Sequence, residues 1–253
     1  MNPASRKLKI LEYLQKNGSV DVAFLAEKLG VSTMTIRRDF SEFEKQNIIT
    51  VTHGGAILNE GLATEYTYNV KISQMPDEKK SIGKAAALMI KKGDSIFIDC
   101  GTTPAEAAKA LMKVKDITVI TNNILAVNIL LHYPDLKLIM VPGDFRYKSM
   151  GFIGALAIDF AKRIRFDLMF LGAEGFEHSF GVSTQNMEDA LTKNAFIQSA
   201  ERVVLLADRT KLGKKTLFNI AQIQDINTII TGSKASETEL QKIRDKGVEI
   251  ITV

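Results

Sequence analysis

Two groups of residues in this chain have types and spacings that could do chemistry. The first is the string Ser32-Thr33-Met34-Thr35-Ile36-Arg37-Arg38-Asp39-Phe40. Ser32 has the side chain to cap a helix, and burying Ile36, Phe40 and Phe43 on one stripe turns Thr33, Thr35, Arg37 and Arg38 toward solvent near its start. Hydroxyl and guanidinium groups presented there suit the base edges and phosphates of a DNA duplex, because the early residues of such a helix enter the major groove. The alternative is an ordinary solvated helix face. Context favours DNA: the Arg pair lies directly ahead of a β-branched stretch, Ile48 to Leu58, broken by Gly54-Gly55 with His53 beside the tip. His53 is either a phosphate or minor-groove contact or a turn histidine without a role, while Arg6, Lys7 and Lys9 are candidates for salt-dependent attraction to the DNA backbone.

The second group is five polar clusters that each follow a short apolar run. In Asp99-Cys100-Gly101-Thr102-Thr103-Pro104, Thr103 suits an N-cap and Pro104 a first helical position. A strand-loop-helix of this kind exposes backbone N–H groups at the positive end of a helix, where a phosphate is held well; a plain capped helix is the alternative. The other clusters are Thr121-Asn122-Asn123, Gly143-Asp144-Phe145-Arg146, Gly172-Ala173-Glu174-Gly175 and Asp208-Arg209-Thr210-Lys211. In an open α/β sheet, ligands bind outside the carboxyl ends of the strands, so the five are expected to converge on one rim. Arg146 and Lys211 could then neutralise a phosphate, and Asp99, Asn122 and Asp208 could pair with sugar hydroxyls. Surface loops of any α/β protein are polar too, which is the competing account.

The elements that must position these groups follow from periodicity. Leu8, Leu11 and Leu14 with Ile10 mark a first helix ended by Asn17-Gly18, Ser19 and Val20 lead into a turn, and Phe24, Leu25 and Leu29 mark a second helix closed by Gly30. A third helix with Ile36, Phe40 and Phe43 completes a helix-turn-helix, and the hairpin around Gly54-Gly55 makes a wing. From Asn59 to about Lys80 the chain is polar, without clear period, and contains Gly61 and Pro76. Beyond it, apolar runs at 95–99, 117–121, 136–141, 167–171, 203–207 and 227–231 alternate with helix-length segments, the pattern of a mainly parallel sheet covered on both faces. The expected organisation is a winged helix-turn-helix over 1–58, a linker over 59–77 and an α/β sensing domain over 78–253.

The bulk composition fits. With 253 residues, 45% hydrophobic and 25% charged, the chain has the makeup of an ordinary folded protein of one or two domains. The net charge of +4 is compatible with nucleic acid without requiring it. A lone cysteine, Cys100, forms no internal disulfide, and the basic start lacks an apolar signal core, so the cytoplasm is the expected compartment and a membrane role is not expected. Cys100 has no His or second Cys close in sequence, and His53, His132 and His178 show no ligand spacing, so neither a metal nor another cofactor is expected.

Through VSTMTIRRDFSEFEKQNII, the following THGGA, and then DCGTT, ITNN, GDFR, DLMFLGAEG and LLADRTKLG, the chain resembles the DeoR/GlpR-type bacterial repressors over nearly its whole length. The resemblance implies a sensor domain related to ribose-5-phosphate isomerase and coenzyme A transferases, whose DCGTT-like and GGxxR-like loops bind phosphorylated sugars or polyols. It also places Glu188 and Lys193 near the pocket, although a surface pair is the competing reading. One departure is Asp144, where the second glycine of the latter motif is usual; a carboxylate there repels phosphate, and it either points away or selects a hydroxyl pattern. The implied function is a repressor of a carbohydrate-metabolism operon, assembled as a dimer or tetramer on double-stranded operator DNA and released by a phosphorylated sugar or polyol. The alternative is a sugar-phosphate isomerase-like enzyme with Asp99, Glu174 or Asp208 as general base, but no catalytic signature surrounds them.

Overall fold

The computed structural model describes residues 2–46, 48–59, 65–111, 114 and 116–253, and the chain divides into two units, Met1–Gln74 and Met75–Val253. In the first unit, α1 (Pro3–Asn17) starts with Asn2 accepting from the Ser5 N–H at 2.8 Å and stops at Gly18, whose φ of 73° an L side chain disfavours. Helix α2 (Val22–Leu29) is capped by Asp21 and closed by the left-handed Gly30. Ser32 caps α3 (Thr33–Lys45), its Oγ accepting from the Thr35 N–H at 3.2 Å. Ile10, Leu11, Leu14, Leu25, Ile36, Phe40 and Phe43 are buried together, as the helical stripes predict, whereas Leu8 is only half-buried. Phe24 is not among them; it lies exposed on α2 and meets the Tyr13 ring edge-on at 5.6 Å, while Val22 and Ala26 take the buried face.

The wing has one strand more than expected. Besides β2 (Ile49–Val51) and β3 (Gly55–Leu58), residues Ser19–Asp21, with Ser19 and Val20 expected only to lead into a turn, form β1 and pair antiparallel with β3 in the order β1-β3-β2. A three-residue strand carries too little alternation to stand out in the sequence. Gly55 is what lets β1 approach, because a Cβ there would lie 2.1 Å from the Val20 carbonyl oxygen. In the stretch expected to be a linker without periodicity, Gly61 falls outside the described residues, Tyr68–Ser73 form a short helix α4, and α5 (Pro76–Ala87) begins before residue 78.

The second unit is built on a seven-stranded sheet. Its strands are β4 (Ser95–Ile98), β5 (Thr118–Thr121), β6 (Lys137–Met140), β9 (Phe166–Leu171), β12 (Ala200–Leu206), β14 (Thr228–Thr231) and β15 (Glu249–Thr252), all parallel to their neighbours. Successive residues of a strand point to opposite faces, so Phe97, Met169, Leu205 and Ile229 enter one core and Ile96, Ile98, Phe170, Val204 and Ile230 the other. Burial on both faces is why these strands read as apolar throughout. Helices α6 (Thr102–Ala110), α7 (Ile124–Leu130), α8 (Ala155–Lys162), α9 (Met187–Ile197) and α10 (Glu237–Arg244) lie between them. Two antiparallel pieces were not foreseen: the hairpin of β7 (Asp144–Arg146) with β8 (Gly151–Ile153), and a sheet of β10 (Gly175–Glu177), β11 (Gly181–Thr184) and β13 (Phe218–Ala221).

The strand order β15-β14-β12-β9-β4-β5-β6 fixes where a ligand crevice opens. The chain builds β4 first, extends the sheet through β5 and β6 on one side, and then crosses to β9 on the other. The order therefore reverses between β4 and β9, and at such a switch point the following loops diverge and leave a cleft. Asp99 and Gly172 are the residues that leave these two strands.

Candidate functional site

In the first unit, α3 presents Thr33, Arg37 and Arg38 to solvent, with Met34 beside them, and His53 is exposed at the wing tip. Ser32 and Thr35 are partly committed to the helix start, where their hydroxyls share a hydrogen bond of 2.9 Å. The next residue of the string, Asp39, turns inward: it is almost fully buried and takes both Nε and Nη2 of Arg6, at 2.6 and 3.1 Å. This fork pair raises the Arg6 pKa and ties α1 to the recognition helix. Lys7 is likewise engaged, with Glu42, whose carboxyl it holds below the usual range. Of the three basic residues on α1 expected to attract a DNA backbone, Arg6 and Lys7 are thus bound within the protein, and Lys9 is exposed.

In the second unit a buried polar cluster gathers at the carboxyl ends of β4 and β9. The Asp99 Oδ2 accepts from the Gly172 N–H at 2.9 Å and from the Lys193 ammonium, which reaches over from α9. Its other oxygen, Oδ1, is buried and has no hydrogen-bond partner. Burial pushes the Asp99 carboxyl up. The same burial works against the Lys193 ammonium, but Asp189 and Asp99 more than offset it, so Lys193 stays cationic. Asp189 is held in turn by Thr184 Oγ1 at 2.8 Å, and Cys100 Sγ lies 3.5 Å from it. Burial, with Asp99 adding to it, raises the Cys100 thiol well above its usual pKa, so it is a neutral thiol and no nucleophile. Glu174 accepts from the Gln185 N–H at 2.9 Å.

Helix α6 begins at Thr102 with Gly101 at its N-cap and no side-chain cap. Thr103 and Pro104 are consequently the second and third helical residues, two places further in than the N-cap and first helical position expected of them. Glycine is required at Gly101, with φ of 117°, and Gly172 admits no side chain because a Cβ would lie 2.9 Å from the Cys100 carbonyl oxygen. The first turn of α6, without a side-chain cap, thus begins three residues after Asp99 in the chain.

The remaining expected residues divide. Thr121 spends its hydroxyl inside the fold, donating to the Ile98 carbonyl at 2.6 Å and accepting from the Asn123 N–H at 3.0 Å. Asn123 caps α7 and braces the loop by donating to the carbonyls of Asp99 and Gly101. Asn122 donates to the Phe152 carbonyl and leaves its buried Oδ1 without a partner. Gly143 directly precedes β7 and Arg146 is its last residue, so neither sits in a free loop; a Cβ on Gly143 would lie 2.6 Å from the Ile153 carbonyl oxygen. Asp144 and Glu188 come together at Gly154, where a Cβ would stand 3.2 Å from Asp144 Oδ2 and 3.0 Å from Glu188 Oε1. Asp208 is fully buried at the carboxyl end of β12; burial works the other way, but Lys211 and Lys79 hold its carboxyl below the usual range.

Asp189 and Thr184 were missed in the sequence. Asp189 stands four residues before Lys193, the spacing of an ion pair on one helix face, and that signal was legible beside the more conspicuous Glu188. Lys79 and Glu78, which reach Asp208 and Arg209, carry no such signal because more than a hundred residues separate the partners. No helix among the described residues is long and apolar enough to cross a membrane.

The comparisons with known proteins match this arrangement. A DeoR-like helix-turn-helix domain is recognised over residues 6–61 and a DeoR C terminal sensor domain over residues 74–233. The chain is 30% identical over 250 residues to the glycerol-3-phosphate regulon repressor of Escherichia coli (strain K12), covering 99% of each protein. To the HTH-type transcriptional regulator GlpR of Haloferax volcanii it is 32% identical over 252 residues, 99% of this chain and 98% of that one. The structure of ribose 5-phosphate isomerase A from Methanocaldococcus jannaschii aligns with a TM-score of 0.41 at 19% identity, over 55% of this chain and 56% of that one. With a helix-turn-helix unit followed by a parallel-sheet sensor unit, the chain belongs to the DeoR family of transcriptional regulators.

Proposed function

We propose that the chain is a DNA-binding repressor of a carbohydrate-metabolism operon, released from its operator when a phosphorylated sugar or polyol occupies the crevice between β4 and β9. The observation that carries the reading is the buried, unpaired Oδ1 of Asp99, three residues ahead of the first turn of α6, which has no side-chain cap. The helix start offers N–H groups and a positive dipole to a phosphate, and an unpaired buried carboxylate oxygen is costly until a hydroxyl donates to it. Asn122 Oδ1, equally buried and unpaired, is a second acceptor for the sugar. Lys193 keeps Asp99 in place and offsets its charge near the anion. The relatives, one of them a repressor of a glycerol-3-phosphate regulon, support a phosphorylated ligand.

We read the chain as a regulator and not an enzyme, because it carries a helix-turn-helix unit and its relatives are named transcriptional repressors and regulators. Two copies set recognition helices on operator half-sites, in a dimer or tetramer with Thr33, Arg37 and Arg38 facing the groove. The ligand acts through its different affinity for the DNA-competent and released states, so ligand and DNA weaken each other reciprocally. The test is a gel shift on the DNA upstream of the chain's own operon, repeated with a panel of sugar and polyol phosphates. A shift reversed by one member of the panel is the expected result; turnover of any of them, abolished by Asp99→Asn, would replace this reading with an enzyme.

A further inference from the structure

The loop that follows β12 grips the first turn of α5. Glu78 Oε1 accepts from the Arg209 N–H at 2.6 Å, and its Oε2 takes the Arg209 guanidinium. The carboxylate fills the space beside Gly232, where a Cβ would lie 2.1 Å from Glu78 Cδ. Next to it, the buried Lys79 places Nζ 3.8 Å from Asp208 Oδ2, an oxygen with no hydrogen-bond partner. Asp208 Oδ1 accepts from the Thr210 N–H at 3.0 Å, which shapes the turn Arg209–Lys211. Further along α5, Gly83 lies so close to α6 that a Cβ would stand 2.5 Å from the Glu106 carbonyl carbon. Helix α5 thus touches both the 208–211 turn and α6, elements that follow strands β12 and β4 of the sheet.

The start of α5 is also where the chain passes from the first unit to the second, between Gln74 and Met75. Met75 has φ 46° and ψ 47°, a left-handed conformation uncommon for a residue with a side chain. Such a conformation persists only while its surroundings impose it, and no side chain caps the helix. Glu78 and Lys79 stand three and four residues after it, and the Lys79 N–H donates to the Met75 carbonyl at 3.0 Å.

We propose that α5 transmits occupancy of the crevice to the DNA-binding unit, with Glu78 and Lys79 as positioning residues: a ligand that engages Asp208 and Arg209 resets their ties to the first turn of α5 and so the course of the chain at Met75. This rests on the crevice reading above. With the ties intact the protein is DNA-competent; with them broken it takes the released state without any ligand.

The test needs no ligand. Glu78→Gln, Arg209→Gln and the double variant are made in the full chain, and affinity for the upstream DNA is measured by fluorescence anisotropy. Each single variant is expected to bind DNA about fivefold or more weakly, and the double variant no more weakly than either, because both remove one tie. Hydrogen exchange at residues 75–80 rises in all three, while exchange in α3 is unchanged. Phe196→Leu, which loosens the sheet core away from the tie, serves as control for lost stability and keeps its DNA affinity. Unchanged DNA affinity in folded Glu78→Gln and Arg209→Gln would overturn the proposal, as would an equal loss in Phe196→Leu. Failure of the crevice reading looks different: the panel of sugar phosphates leaves the wild-type complex intact.

Discussion

The guanidinium of Arg6 closes on both carboxylate oxygens of Asp39, joining the first helix to the helix that carries Thr33, Arg37 and Arg38. Asp39 is buried and Arg6 nearly so. Removing one partner of such a pair leaves the other desolvated and uncompensated. Asp39→Asn should therefore destabilise the first unit by about 2 kcal/mol and weaken DNA binding with it. Thermal denaturation and operator affinity, measured on the same preparation, check this; a variant as stable as wild type would show that the pair contributes nothing.

Arg37 and Arg38 stand exposed on α3, so their loss leaves no cavity and no buried charge. Arg37→Ala and Arg38→Ala should each weaken operator binding by about 1–3 kcal/mol if they reach a base edge, or lower the salt slope by about 1 if they hold a phosphate. The melting temperature should not change. Binding titrations across a salt series separate the two roles.

Lys193 sits between Asp99 and Asp189 with almost no exposure. Lys193→Met strands two carboxylates in the interior and should cost about 3–5 kcal/mol of stability. Combining it with Asp99→Asn removes one stranded charge and should restore part of that loss. Chemical denaturation of the single and double variants measures the recovery; additive losses would mean that the two residues do not act as a pair.

Glu177 contributes to the pH dependence of stability. Burial works against its charge, but the N–H groups of Phe180 and Ser179, the Ser179 hydroxyl and His178 hold its pKa down at about 2. Lys215 also faces it, at 3.5 Å. A carboxyl whose pKa is lower in the folded than in the unfolded state stabilises the fold above the unfolded value, near 4.5, and that contribution disappears as pH falls toward 2. Over that window the protein should lose about 3 kcal/mol that Glu177→Gln lacks at every pH. Denaturation midpoints of both proteins from pH 6 to 2 should converge as acid is added; parallel curves would rule out Glu177 as the source.

The sequence made the sheet legible through its apolar runs, because a strand buried on both faces writes that burial into every residue, as in Val203 to Leu206. It made the recognition helix legible because Ile36, Phe40 and Phe43 keep one stripe. It could not announce β1, β7 or β10, whose three residues each are held by what lies across from them and by glycines such as Gly55. The five polar clusters pointed to the rim, but not to the partners of Asp99 there. Lys193 stands 94 positions away, and only the crossing of the chain from β6 to β9 brings them together. Thr103 and Asp39 illustrate the limit: residue type names a capacity, and one or two positions of helix register decide whether it faces a ligand, a core or a partner.

The position of β4 in the sheet has a consequence for how the protein is made. β4 is the first strand of the sensor to leave the ribosome and the one that ends up in the middle, between β5 and β9. Its second edge stays unpaired until residues 166–171 have been synthesised, and Asp99 has no counter-ion until Lys193 follows. The first unit needs nothing beyond residue 74 for its own core. A DNA-gripping module can therefore be folded on the nascent chain while its regulator is still an open half-sheet, exposed to aggregation and chaperones until the last parallel strands arrive.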